Sequence, residues 1–140
     1  MIEIKDISIT AESLGACRLT DAITDWRSAV KVMFSPQGRE FCKAHGYPTA
    51  EQFRQMPDLQ SLGVYVDAGE IDICCDKDIC IVGDTQARVF AAENTSLHRL
   101  LVFHGASAQI IASNYSVTNV TNIGGKIKAE ITDNAKVFEQ

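Results

Sequence analysis

Ala87-Arg88-Val89, Ala108-Gln109-Ile110 and Ala129-Glu130-Ile131 stand 21 residues apart and repeat one order: a small residue, a polar one, a β-branched one. Ile81, Val102 and Ile123 keep the same spacing. A fixed period of this size marks stacked supersecondary units, because one rung cannot bury its own apolar face and needs a neighbour lying on it. The segment therefore reads as a β-solenoid in which Ala87, Ala108 and Ala129 stack in register on successive rungs, about 5 Å apart. Val89, Ile110 and Ile131 then point inward, and strand alternation sends Phe90, Ile111 and Thr132 outward.

The chain takes on this character near Gly63. Val64 and Val66 alternate with Tyr65, Ile71 and Ile73 alternate with acids, and Ile79 and Ile81 resume the pattern after Asp76-Lys77-Asp78. Leu100-Leu101-Val102-Phe103 is a continuous apolar run, as expected of a strand covered on both faces. Gly124-Gly125, between Thr121-Asn122-Ile123 and Lys126-Ile127-Lys128, has the composition of a hairpin turn. Hairpins would build the alternative architecture, an antiparallel β-sandwich or barrel with N-terminal helices. The 21-residue recurrence, which hairpins do not require, favours the solenoid.

Ahead of it, Ile2, Ile4, Ile7 and Ile9 nearly alternate with polar residues and read as a short strand over residues 2–10. A helical layer follows. Thr20 is the expected cap of a helix whose Ile23, Trp26, Val30 and Met33 form one apolar stripe, with Asp21 and Asp25 near its positive end. Ser35-Pro36 restarts a helix that Gly46 can close, and Thr49 with Gln52 has the spacing of a capping box. The fold class expected is α+β: a short N-terminal strand and helical layer over residues 1–62, then a C-terminal β-solenoid of about three rungs over residues 63–140. The two parts form one domain of 140 residues. The apolar stripe on the helix is the natural cover for an outward strip of Phe90 and Ile111.

Thirteen basic against eighteen acidic residues give a net charge of −5, which opposes non-specific nucleic-acid binding. The nearest basic pair, Lys126 and Lys128, reads as a solvated strand face. Met1-Ile2-Glu3-Ile4-Lys5-Asp6 places acids where a signal peptide needs a basic stretch, and no apolar run reaches the roughly 18 residues of a membrane helix. The expectation is a cytoplasmic protein without membrane contact. Asn94-Thr95-Ser96, Asn114-Tyr115-Ser116 and Asn119-Val120-Thr121 match the glycosylation triplet, as a polar solenoid does by chance.

Candidate chemistry is sparse. Cys17, Cys42, Cys74, Cys75 and Cys80 are odd in number and suit a reducing compartment, so no disulfide is expected. Cys74, Cys75 and Cys80 with His98 or His104 lack the knuckle spacing of a zinc site, and strand cysteines beside Ile73 and Ile79 read as core. Asp72, Asp76, Asp78 and Asp84 lack the comb of a calcium loop and read as turn residues. Cys42 and His45, three apart on one short helix, have no third partner to orient them. No metal and no cofactor is expected.

Ile111, Val117 and Ile123 also recur at six residues, and over 111–123 the chain resembles the hexapeptide-repeat acyltransferases. That resemblance implies a left-handed β-helix, an acyl-carrier donor bound between trimer subunits, and a His general base, here His98 or His104. Only Ala112 and Gly124 supply the small residue that should follow each aliphatic one. The principal expectation is instead a non-enzymatic structural or protein-interaction module. By analogy of shape it is a component of a phage- or mobile-element-derived assembly. The expected partner is protein, through self-association. The residues expected to carry interaction are Phe90 and Ile111 on the outer face and Val137 and Phe138 on the last rung, where Ala135–Gln140 offers no helical cap.

Overall fold

The computed structural model describes residues 2–16, 18–74 and 78–140. Among them, four helices precede nine strands: α1 (Ile4–Ser13), α2 (Trp26–Phe34), α3 (Pro36–His45), α4 (Ala50–Gln55), then β1 (Val64–Val66), β2 (Gly69–Cys74), β3 (Ile79–Val82), β4 (Thr85–Ala91), β5 (Leu97–Phe103), β6 (Ser107–Ala112), β7 (Val117–Ile123), β8 (Lys126–Ile131) and β9 (Lys136–Glu139). Short 3₁₀ turns at Leu19–Ala22 and Gln60–Leu62 link the helices to one another and to β1.

The first element is a helix where alternation suggested a strand. Ile4, Ile7 and Ala11 fall on one helical face, with Ile7 and Ala11 buried, while Ile9 points away and is exposed. The step from Ile4 to Ile7 is the decisive one, since three residues fit a helix and break a strand's period of two. The Asp6 carboxylate accepts from the Glu3 backbone N–H at the helix start, 3.1 Å. The Tyr47 hydroxyl donates to the Ile7 carbonyl oxygen, 2.7 Å, and ties the helix down.

Thr20 does not cap the next helix. It lies in the 3₁₀ turn and donates to Glu12, and the cap is Asp25, whose carboxylate accepts from the Ser28 N–H at 2.8 Å. Ser35 with Pro36, Gly46 in the left-handed conformation, and the reciprocal Thr49–Gln52 pair are placed as expected.

From Val64 the chain winds through a parallel β-solenoid of about four turns. Each turn gives one strand to a five-stranded sheet, β1-β3-β5-β7-β9, and one to a four-stranded sheet, β2-β4-β6-β8. Every pairing is parallel, so Gly124-Gly125 is a corner and not a hairpin. At that corner the left-handed residues Asp67, Gly83, His104 and Gly124 stack on successive turns. The Asp67, Gly83 and His104 amides donate in turn to the Val82, Phe103 and Ile123 carbonyls.

Between the sheets lies the solenoid's interior, with Ile81, Val89, Leu100, Val102, Ile110 and Val120 fully buried. The other face of the five-stranded sheet presents Cys80, Val82, Leu101, Phe103 and Ile123 to Val30, Met33, Phe34, Cys42, Phe53 and Leu59 of the helical part. This explains the unbroken Leu100–Phe103 run: odd residues meet the helices and even residues meet the opposite sheet.

Register holds the 21-residue period only once. Ala87 pairs with Ala108 and Ile81 with Val102, as expected. On the next turn Ala108 pairs with Ile127 and Ile110 with Ala129, while Val102 pairs with Asn122 and Phe103 with Ile123. The three alanines therefore do not form one stack, and Ile123 faces the helices and not the interior. The cause lies at the corners. Ser113–Ser116 joins β6 to β7 with one residue fewer than the segment from Ala92 to Ser96, and Gly124-Gly125 is one shorter than His104–Ala106.

Candidate functional site

Phe90 and Ile111 point outward and pair with each other, as expected, and each is half-buried. The helices do not cover them. They lie on the four-stranded sheet, whereas α2 and α3 pack on the five-stranded one. Part of the cover on Phe90 comes from Arg88, whose guanidinium carbon sits 5.8 Å from the ring centre. Arg88 also forms a two-pronged pair with Asp72, 2.8 and 2.7 Å. The outer face of this sheet carries a groove of about 700 Å³ walled by the side chains of Glu70, Gln86, Ser107 and Lys126 on one side and Asp72, Arg88, Gln109 and Lys128 on the other.

The last turn differs from those beneath it. β6 buries alternate residues, but in β8 Ile127 is only half-buried and Ala129 and Ile131 are exposed. Ile131 is 49% exposed and Phe138 53%, while Val137 is half-buried against the interior. Val137 pairs with Thr118 and points inward, whereas Phe138 pairs with Asn119 and points outward. Among the described residues no strand pairs with the free edges of β8 and β9.

The two histidines named for catalysis are structural in placement. His98 is wholly buried inside the solenoid, and its Nε2 donates to the Glu93 carbonyl oxygen at 2.6 Å. Its Nδ1 and the hydroxyl of Thr118, the residue it pairs with, have no partner among the described residues. His104 is at the corner, where its Nε2 donates to the Pro48 carbonyl oxygen at 2.7 Å and its ring leans on Phe103 and Phe53. Each ring thus pins a neighbouring segment. Ile111 lies on β6, while Val117 and Ile123 begin and end one strand, so the six-residue step does not mark successive faces.

Cys42 and Cys80 are buried between helices and sheet, and burial pushes the Cys42 thiol up to about 12 and the Cys80 thiol well above its ordinary value. Neither is a poised nucleophile. His45 stacks on Phe41 at 4.6 Å between ring centres. Cys74 is exposed at the end of β2, and Cys17, Cys75 and Asp76 lie outside the described residues. Of the other acids, Asp72 sits on an outer strand face, Asp78 lies 3.4 Å from Arg99 Nε and Asp84 donates its N–H to Asp67. Among the described residues no three His, Cys, Asp or Glu side chains gather as metal ligands, and no helix is long and apolar enough to cross a membrane.

Two further features were not legible in the sequence. A cavity of about 80 Å³, almost wholly apolar, lies within the helical part among Ile7, Leu19, Ile23, Trp26, Met33 and Tyr47. The expected stripe therefore serves both sides: Ile23, Trp26, Val30 and Met33 all line this gap, while Val30 and Met33, with Trp26 beside them, also pack in the cluster against the sheet. Arg39 of α3 reaches under the helices to the column Asp78, Arg99 and Asn119. Its Nε and Nη1 and the Asn119 Oδ1 have no partner among the described residues, and Arg99 Nη1 donates to the Phe34 carbonyl oxygen at 3.2 Å. The Arg99–Phe34 bond ties the end of α2 to β5. Comparison of the chain with protein-family models, with curated proteins and with solved structures finds no match.

Proposed function

We propose that this protein is a non-enzymatic structural module that works by protein–protein association, and that its last turn joins end-on to a second copy of the chain. The observation that carries this reading is the contrast between Ile110, fully buried, and Ile131, half exposed on the next turn. Ile127, Ala129 and Ile131 present the solenoid's apolar cross-section to solvent, edged by the unpaired backbone groups of β8 and β9. What fits such an end is another turn of the same shape, because its strands continue both ladders and its interior residues continue the apolar column. A place in a larger repeating assembly, of phage or mobile-element type, agrees with this geometry by analogy of shape.

The test is sedimentation of the intact protein across a wide concentration range, beside the Ile131→Lys/Phe138→Lys chain. At high ionic strength, where contacts between surface charges are screened, the native chain is expected to associate and the double variant to stay monomeric, with circular dichroism and the thermal midpoint little changed because both residues are exposed. A native chain that remains monomeric at the highest concentration attainable, or a double variant that associates as the native chain does, overturns the reading.

A further inference from the structure

The outer face of the four-stranded sheet is ordered in three columns that run along the solenoid. Glu70, Gln86, Ser107 and Lys126 form the first; Asp72, Arg88, Gln109 and Lys128 the second; Cys74, Phe90, Ile111 and Glu130 the third. Charge is graded along them. The two turns β2 and β4 carry two acids and one base, and the two turns β6 and β8 carry two bases and one acid. The apolar pair, Phe90 and Ile111, occupies the two middle turns of its column and is half-buried, with the rest of each side chain facing solvent.

We propose that this face binds the same face of a second copy, about a two-fold axis parallel to the strands and midway between β4 and β6. Such an axis keeps each column opposite its own counterpart and reverses the order of the turns. Glu70 then faces Lys126 of the second copy, Asp72 faces Lys128, Gln86 faces Ser107, and Phe90 faces Ile111. Every charge that meets a charge meets its opposite, and the apolar residues of the third column meet across the axis at one edge of the face. The other two-fold arrangement, with the solenoids running the same way, exchanges the outer columns and sets Asp72, Arg88 and Lys128 of the middle column each against its own copy, and is disfavoured by like-charge contact. The inference rests on the protein's being an association module, but it uses a surface separate from the last turn.

Four strands about 4.8 Å apart and five residues at about 3.3 Å each give roughly 300 Å² per copy, well below a standard interface. The pair is therefore transient and sensitive to salt. Glu70 and Lys126 make the sharpest probes, since neither side chain has a partner within the chain among the described residues.

The experiment measures association by sedimentation in low salt, in the native chain and again in the Ile131→Lys/Phe138→Lys background, which removes end-on joining. In that background association through the face is expected to persist and to weaken as salt rises. Glu70→Lys and Lys126→Glu are each expected to weaken it roughly tenfold, because the symmetry places every substitution in two like-charge contacts. An equimolar mixture of the two variants, or one chain carrying both, is expected to recover it. Association unmoved by either reversal, no recovery in the mixture, or no association once the last turn is blocked overturns the face-to-face pair. The last of these outcomes would leave end-on joining standing, so the two proposals fail separately.

Discussion

Ile110 and Ile131 occupy the same inward parity on neighbouring strands, yet one is fully buried and the other 49% exposed. The same contrast runs along whole strands: β6 alternates buried and half-buried residues, and β8 buries none. Local sequence does not explain it, because both strands alternate. In a solenoid, burial belongs to the stack: a side chain between two turns is closed in from both sides, and one on the last turn from a single side. The closed turns therefore hold the stability, and the open turn is where the proposed association is placed.

Truncating the two isoleucines separates those roles. Ile110→Ala should cost about 2–5 kcal/mol in chemical denaturation, since it opens a cavity between packed turns. Ile131→Ala should cost less than about 1 kcal/mol to the monomer and show its effect in association instead. Equal losses at the two positions would break the comparison.

Corner glycines sharpen it. Gly83 has φ +67°, and a Cβ there would stand 2.4 Å from Asp67 Oδ1, inside the Arg54–Asp67 pair. Gly124 has φ +81° with its nearest neighbour at 3.8 Å. Gly124→Ala is expected to cost about 1–2 kcal/mol for the left-handed backbone alone. Gly83→Ala should exceed it by about 1–2 kcal/mol, because the Asp67 carboxylate must give up hydrogen bonds. Thermal midpoints of the two variants in the reverse order would show that the early corner is not the tighter one.

Acid tests the same corner. The Arg54 guanidinium, and then the Asp84 backbone N–H, hold the Asp67 carboxyl below the usual carboxylate range. Its folded value lies below its unfolded one, so the unfolded chain binds the proton more readily. Its contribution is then full above the ordinary value near ~3.9 and is lost as pH falls towards the depressed folded value. Asp67→Asn is expected to lower stability at neutral pH and to flatten that acid limb. An acid limb of unchanged slope would remove Asp67 from the account. The smallest effect is chemical: iodoacetamide should label Cys74 in the folded protein, and Cys42 and Cys80 only on unfolding. Rapid labelling of Cys80 in the native state would show that the helical cover opens.

Much of the architecture was legible in residues. Repetition at 21 announced a parallel stack, and Ser35-Pro36, Gly46 and Thr49-Gln52 announced helix ends whose partners lie within a few positions. In the N-terminal segment four isoleucines in eight residues satisfy both periods approximately; the three-residue step from Ile4 to Ile7 favours the helix, and burial of Ile7 and Ala11 against Tyr47 fixes it. Of the residues expected to carry interaction, Phe90, Ile111 and Phe138 do point outward. Val137 points inward, because β9 takes its register from β7.

By itself the sequence determined what depends on near neighbours: the change of period near Gly63, the caps of α3 and α4, and the alternation that builds two-faced strands. Tertiary structure decided the rest. Register followed from corners one residue shorter on later turns, which separated Ala129 from Ala108 and turned Ile123 towards the helices. The choice of which sheet lies under the helices followed from Leu101, Phe103 and Ile123 offering a larger apolar face than Phe90 and Ile111. Both outcomes depend on residues far apart in the chain, and hydrophobic burial, which is non-directional, leaves no local mark of the partner it will find.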